Sequence, residues 1–221
     1  MIERPLRTWR TARYYVVGTP GAAVREVWFV CHGYGQLAAS FAKDFEKLAG
    51  AERIIVAPEA LSRFYLDALD QSAGERRVGA TWMTREDRES EIGDYVGYLD
   101  AVYAAVMGEL PAPGARVHVL GFSQGVATVM RWLALGTARA DALTLWAGGL
   151  PHDLALDAYA GRFGRTKVTV VAGERDRLVG EEPLAAARAR LFSAGIDHKL
   201  IRFPGGHRLD DAVLRQLADA R

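Results

Sequence analysis

The stretch Val117-His118-Val119-Leu120-Gly121-Phe122-Ser123-Gln124-Gly125-Val126-Ala127-Thr128-Val129 decides the fold class of this 221-residue chain. Its first four residues are typical of a buried strand, and the residues from Val126 onward are typical of a helix. Between them, two glycines flank a serine in a sharp turn, where glycine relieves steric contact. A strand, a G-x-S-x-G turn and a helix in this order predict a nucleophile elbow with an exposed serine hydroxyl. Ser123 is therefore the candidate nucleophile.

The elements on either side of this turn predict an α/β-hydrolase fold. Short β-branched and aromatic runs alternate with helical stretches, which is typical of a mainly parallel twisted sheet with helices on both faces. The first two strands are expected to pair as a hairpin. No repeat or linker divides the chain, so we expect one domain over residues 1–221 without a large cap domain. Predicted strands are 14–17, 27–30, 53–56, 116–120, 142–146, 167–172 and 199–203, and predicted helices are 38–48, 89–107, 126–135, 183–192 and 209–218.

The composition excludes few functions, but it argues against some classes of binding partner. Lys and Arg number 28 against 27 Asp and Glu, which gives a formal net charge of +1. This balance gives no electrostatic reason to expect a nucleic-acid partner. The charged N-terminus has no apolar core of a signal peptide, and no apolar run reaches about 18 residues. We therefore expect a cytoplasmic protein without stable membrane insertion.

Two loops after later strands supply partners for the serine. A serine hydroxyl needs a base within hydrogen-bond reach, and the base needs an orienting group. In this fold the acid and then the histidine follow the serine, each after a strand. Asp176 ends the loop Gly173-Glu174-Arg175-Asp176, and His207 lies in the loop after the next strand. We predict a catalytic triad of Ser123, Asp176 and His207, with Glu174 as the alternative acid.

A glycine-rich loop after an early strand is the candidate for half of an oxyanion hole. Acyl transfer needs two N–H donors aimed at the developing negative charge. One is the backbone N–H of Gln124, next to the nucleophile. The other is assigned to Tyr34, because Gly33 and Gly35 on either side would let its amide turn inward. His32, just before this loop, is expected to brace it rather than to transfer protons.

The segment 61–89 is expected to shape substrate binding. It follows a strand, has no evident element and is long for a loop, which is typical of lids and binding loops. The candidate pocket walls are Phe64, Tyr65, Trp82, Leu150 and Leu178, for which ordinary core packing is an equal alternative. No His, Cys or Asp cluster has metal-ligand spacing, so neither a metal nor a cofactor is expected.

Several segments together resemble the phospholipase/carboxylesterase family of α/β-hydrolases, which includes acyl-protein thioesterases and small bacterial carboxylesterases. The resemblance implies that Ser123, Asp176 and His207 are catalytic and that Tyr34 and Gln124 form the oxyanion pair. Segment 61–89 departs from the family pattern, because Trp82-Met83-Thr84 stands where an aromatic and an Asp usually follow the Trp. The matching segments are Cys31-His32-Gly33-Tyr34-Gly35, Ala57-Pro58, Gly121-Phe122-Ser123-Gln124-Gly125, Ala147-Gly148-Gly149-Leu150-Pro151, Gly173-Glu174-Arg175-Asp176 and Gly205-Gly206-His207.

This resemblance implies a reaction class and leaves alternatives open. We expect cleavage of a small-molecule carboxylic ester through an acyl-enzyme, as in a carboxylesterase. A thioesterase or lysophospholipase is the alternative within the enzyme class, since the same residues serve those acyl bonds. A non-catalytic hydrolase-fold protein that binds a ligand is the alternative of another class. The sequence leaves the oligomeric state and the acyl chain length open.

Overall fold

The structure, a computed structural model, describes residues 1–2, 4–67, 76–110 and 114–220. Its strands are β1 (Tyr14–Val17), β2 (Glu26–Cys31), β3 (Arg53–Pro58), β4 (Ser62–Tyr65), β5 (Val78–Thr81), β6 (Arg116–Phe122), β7 (Ala142–Trp146), β8 (Lys167–Gly173) and β9 (His198–Phe203). Its α-helices are α1 (Ala38–Ala42), α2 (Arg88–Glu109), α3 (Gln124–Leu135), α4 (Ala160–Phe163), α5 (Glu181–Ser193) and α6 (Asp211–Asp219). Turns of 3₁₀ helix occupy Lys43–Leu48, the second half of the predicted helix 38–48, and Leu156–Tyr159.

The main sheet has seven strands in the order β1-β3-β2-β6-β7-β8-β9. All neighbours are parallel except β1 and β3. The predicted hairpin of the first two strands is wrong, because β1 pairs with β3, with Tyr14 opposite Pro58. The strand β2 is buried almost along its whole length and takes a central place between β3 and β6, whereas the half-exposed β1 suits an edge.

Helices cover both faces of this sheet, as expected for the α/β class. One face packs against α2 and α3 through residues such as Phe29, Val119 and Trp132. The other face, which carries Trp28 and Trp146, packs against α1 and α6. No inserted cap domain interrupts the described ranges. The expectation of a single domain over the whole chain stays a prediction.

The segment 61–89 contains a small hairpin that the sequence pattern did not indicate. Its strands β4 and β5 pair antiparallel, with Ser62 opposite Thr81 and Tyr65 opposite Val78. This hairpin is separate from the main sheet. Residues 68–75 of the segment lie outside the described residues. In the ranges that are described, no helix is both long and apolar enough to cross a membrane.

Candidate active site

Ser123 lies in the sharp turn between β6 and α3, with φ 53° and ψ −116°. A positive φ is strained for a non-glycine residue and persists only where its surroundings hold it. Here the Ser123 N–H donates to the Trp146 carbonyl at 2.9 Å. A Cβ on Gly121 would lie 2.6 Å from the Gly125 carbonyl carbon, and one on Gly125 would lie 2.9 Å from the Cys31 carbonyl carbon. The two glycines are therefore required by the close packing of β6, α3 and β2.

His207 links the serine to a carboxylate. Its Nε2 lies 2.9 Å from Ser123 Oγ, and its Nδ1 lies 2.8 Å from Asp176 Oδ2. The two loops that carry Asp176 and His207 are joined by backbone bonds, since the Arg175 N–H donates to the Gly205 carbonyl at 2.8 Å. The structure thus brings together the three residues that the sequence analysis selected. Glu174, the alternative acid, is exposed and makes no hydrogen bond to His207.

The surroundings of Asp176 keep its carboxylate ionised. Burial alone would raise its pKa, but hydrogen bonds from the Val179 N–H, the His207 ring and the Leu178 N–H outweigh burial and hold the pKa below the usual range. An ionised carboxylate only accepts hydrogen bonds, so His207 Nδ1 carries the proton of this pair. In the neutral ring Nε2 then has a free lone pair, which faces the Ser123 hydroxyl.

Loop 33–36 leaves a single N–H free beside the serine. The Gly33 N–H donates to the Gln36 side-chain oxygen at 2.8 Å, the Gly35 N–H to the Ala80 carbonyl at 2.9 Å, and the Gln36 N–H to the Gly33 carbonyl at 3.3 Å. The Tyr34 N–H is the one amide of this loop without an acceptor in the described part of the chain. A Cβ on Gly33 would lie 3.1 Å from the Ser123 Cβ, so the loop lies directly against the nucleophile.

His32 holds this loop in place, as its position suggested. Its Nδ1 lies 2.8 Å from the Gly33 carbonyl, and the Ala60 N–H lies 3.1 Å from its Nε2. A carbonyl only accepts and an amide N–H only donates, so these partners require a neutral ring with the proton on Nδ1. Burial lowers the pKa of His32 and so favours the same neutral form.

The side chain of Gln124 makes contacts that sequence reasoning missed. Its Nε2 donates to Thr81 Oγ1 at 2.8 Å and to the Met83 carbonyl at 3.0 Å, while its Oε1 accepts from the Trp82 N–H at 3.2 Å. Gln124 therefore ties the chain that leaves β5 to the nucleophile elbow. In the sequence, the one sign of these contacts was a polar residue at the start of α3. A polar residue alone does not show that its partners lie some 40 residues earlier in the chain.

The hairpin is also joined to loop 33–36 by its backbone. The Gly35 N–H donates to the Ala80 carbonyl, and the Ala80 N–H donates to the Gln36 carbonyl at 3.2 Å. The two chains approach so closely that a Cβ on Gly79 would lie 2.5 Å from the Gly35 carbonyl oxygen. The hairpin, the glycine-rich loop and the elbow are thus parts of one hydrogen-bonded unit.

The five candidate pocket residues do not share one environment. Phe64 packs on the Tyr34 ring with centroids 5.2 Å apart, and Leu178 is 75% exposed beside Asp176. Tyr65 is exposed beneath the Arg76 guanidinium, and Leu150 is partly buried against the main core. The assignment of Trp82 to an open wall is wrong. Its side chain is 2% exposed and its Nε1 donates to the His32 carbonyl, so it packs in the core beneath the site.

A strained serine at the end of a central parallel strand, bonded to a His–Asp pair, is the arrangement of the α/β-hydrolase class of serine hydrolases. The family model described as serine hydrolase (FSH1) matches residues 28–210, and the chain belongs to that family. The chain is therefore an enzyme of the serine hydrolase type. No curated protein sequence matches it.

Solved structures with the same fold agree with the resemblance seen in the sequence. Acyl-protein thioesterase 2 of Zea mays is 18% identical, with 94% of this chain and 98% of that chain covered and a TM-score of 0.71. A carboxylesterase of Mesorhizobium loti is 19% identical, with coverages of 98% and 99% and a TM-score of 0.70. A phospholipase/carboxylesterase of Dyadobacter fermentans is 17% identical, with coverages of 97% and 98% and a TM-score of 0.66. These similarities confirm the predicted fold.

Proposed function

We propose that this serine hydrolase cleaves carboxylic esters through an acyl-enzyme formed on Ser123. The observation that carries the proposal is the continuous chain of hydrogen-bond distances from Ser123 Oγ through the His207 ring to Asp176, 2.9 and 2.8 Å long. The strained backbone of Ser123 presents its hydroxyl at the carboxyl end of β6, where the loops after β8 and β9 also meet.

The proposed reaction has two halves that use the same groups. His207 Nε2 takes the Ser123 proton while Oγ attacks the acyl carbon, and Asp176 stabilises the ring that becomes charged. His207 then protonates the leaving alcohol. In the second half it activates a water that releases the acid and restores the serine. Each half passes through an oxyanion, and we assign its two donors to the N–H groups of Tyr34 and Gln124.

Thioesters are the second substrate class that we consider. An acyl thioester meets the same nucleophile and the same oxyanion donors, and the Zea mays neighbour is described as an acyl-protein thioesterase. The exposed side chains of Tyr34, in loop 33–36, and of Leu178, beside Asp176, suit an apolar acyl group. We propose that the substrate is a small ester or thioester. We also propose that the enzyme lies in the cytoplasm. Cell fractionation tests that location.

The proposal is tested by replacing the nucleophile. We expect Ser123→Ala to abolish turnover of p-nitrophenyl acetate and butyrate while the circular dichroism spectrum is unchanged. A fluorophosphonate probe should label the wild type and not the variant. A folded variant with full activity would refute the assignment of Ser123. A wild type that the probe does not label would instead favour the non-catalytic binding protein. A series of esters and matched thioesters separates the two substrate classes.

A further inference from the structure

A groove of about 830 Å³ opens at the edge of the sheet opposite Ser123. Its floor is formed by the amino-terminal halves of β6, β7, β8 and β9, and the last turn of α6 forms one wall through Leu217. His118, on its floor, lies near the start of β6 and precedes Ser123, just after the end of this strand, by five residues, a separation of about 17 Å. The groove is thus separate from the proposed active site.

The floor of the groove is a row of polar side chains across four neighbouring strands. Thr144 is in register with Thr169, and Thr169 with Lys199. His118 Nε2 lies 2.8 Å from Thr144 Oγ1, which extends the row to β6. On the same face one step further along these strands stand Leu120, Trp146, Val171 and Ile201, which pack in an apolar cluster.

This polar row is not what core packing alone would select. His118 is 4% exposed and Thr144 is 0% exposed. Burying such groups costs free energy that their mutual hydrogen bond only recovers, whereas apolar side chains of similar size would add stability. The hydroxyl of Thr169, which lies next in the row, has no partner among the described residues. His118 and Thr144 are buried and bonded to each other, so the half-buried Thr169 hydroxyl is the group of this row that is left to bond a ligand in the groove.

The charged side chains at the rim of the groove favour a ligand that carries a negative charge. Lys167 and Lys199 are exposed at the groove and form no ion pair in the described ranges. The cationic side chains that line the groove outnumber its carboxylates, and one carboxylate, that of Glu26, is paired with Arg53 at 2.6 Å; the cations are Arg116, Arg165, Lys167 and Lys199, and the other carboxylates are Asp141 and Asp197. Burial lowers the pKa of His118 to about 3, so its ring adds no charge at neutral pH.

We propose that this groove is a second ligand site that binds a small organic anion with a partly apolar body. The anionic group lies between Lys167 and Lys199 at the rim. The body lies over the hydroxyl of Thr169 and against the apolar side chain of Leu217. This binding requires neither the Ser123 hydroxyl nor the acyl-enzyme, so it stands apart from the proposed reaction.

The test uses 8-anilinonaphthalene-1-sulfonate, an aromatic sulfonate whose fluorescence rises on binding. We expect saturable binding to the wild type, and at least a tenfold weaker affinity in the double variant Lys167→Glu, Lys199→Glu. Lys43→Glu is the matched control, because Lys43 is an exposed lysine on the 3₁₀ turn after α1, away from the groove, and its affinity should stay at the wild-type value. Thr169→Trp, which fills the groove without changing its charge, should also abolish binding.

Two further arms decide where the probe binds and what it recognises. Protein labelled at Ser123 with a fluorophosphonate should bind the sulfonate as the unlabelled protein does, and octanoate should displace the sulfonate at least ten times more effectively than octan-1-ol. The proposal is overturned if the wild type shows no saturable binding or if the charge-reversed variant binds like Lys43→Glu. Loss of binding on fluorophosphonate labelling, or equal displacement by octan-1-ol, also overturns it. Circular dichroism confirms that each variant is folded.

Discussion

Replacing Gln124 by alanine separates the two contributions of this residue. The backbone N–H, which we assign to the oxyanion hole, is kept, while the side-chain bonds to Thr81, Trp82 and Met83 are lost. The Trp82 N–H then loses its acceptor, whereas the Met83 carbonyl still accepts from Thr81 Oγ1 at 3.0 Å. Leaving one such N–H unsatisfied costs about 1–3 kcal/mol, so we expect a loss of about 1–3 kcal/mol in the free energy of unfolding.

The same change should slow catalysis. Without the Gln124 side chain, the hairpin is held to the elbow less firmly, and loop 33–36 moves with it because Gly35 and Ala80 share backbone hydrogen bonds. Removing an oxyanion donor altogether costs about 10²–10³ in kcat. A donor that is retained but less well placed should cost about a tenth of that, so we expect kcat to fall about 10- to 100-fold. KM for p-nitrophenyl butyrate should change little, because the donors act on the transition state.

Thr81 and Thr128 both bond Gln124, but only Thr81 belongs to the hairpin. Thr81→Val removes one of the side-chain partners and should give a smaller fall in kcat of the same kind. Thr128→Val removes a hydroxyl that bonds the Gln124 carbonyl at 3.2 Å on the same helix without touching the hairpin, and it should leave kcat unchanged. The variants are compared by steady-state kinetics at 25 °C and by urea unfolding. A folded Gln124→Ala protein with wild-type kcat would refute the coupling between the hairpin and the oxyanion donors.

Asp176→Asn should lower kcat by about 10⁴-fold by changing the His207 tautomer. Because the pKa of Asp176 is lowered in the folded state, the ionised carboxylate stabilises the fold above about pH 3.9, and this stabilisation is lost as the pH falls through the folded-state pKa. In urea unfolding, the free energy of unfolding of Asp176→Asn should therefore decrease less steeply below about pH 3.9 than that of the wild type. The pKa of His118 is about 3 in the folded state, so this residue is protonated first in the unfolded chain as the pH falls. We therefore expect the free energy of unfolding of the wild type to fall by about 2 kcal/mol between pH 6.5 and 5 through this residue. A parallel pH series on His118→Leu should lack that part of the decrease. A Cβ on Gly148 would lie 2.6 Å from Val126 Cγ2, whereas a Cβ on Gly149 would meet no atom within 4 Å. Gly148→Ala should therefore lose esterase activity and thermal stability, and Gly149→Ala should keep both.

Much of the fold could be predicted because its elements have strong local patterns. Ser123, Asp176 and His207 follow apolar strands in loops rich in glycine, and the order of these loops selected the serine, the histidine and a loop with two candidate acids, Asp176 and Glu174. The partner of β1 could not be predicted, because pairing depends on which sheet edge remains free once β2 is buried between β3 and β6. The strand β5 was missed since Val78-Gly79-Ala80-Thr81 lacks a clear alternation and is held by partners in loop 33–36.

The candidate site was predicted less completely than the fold. Tyr34 and Gln124 were chosen for their backbone amides, which depend on turn geometry that glycine and the elbow motif signal. Trp82 was placed in the pocket because aromatic residues in a long segment suit binding walls. In the structure its indole N–H reaches the His32 carbonyl, a contact between residues 50 positions apart that no local pattern records.

The contact between Gly79 and Gly35 has a consequence for changing the substrate range of this enzyme. In many enzymes a binding loop is exchanged as a cassette while the catalytic groups stay as they are. Here the chain at Gly79–Met83 is bonded to both loop 33–36 and the elbow, so grafting a foreign hairpin would alter turnover together with specificity. Variation confined to the exposed side chains of β4, such as Tyr65, keeps these hydrogen bonds intact, so we expect it to leave turnover unchanged.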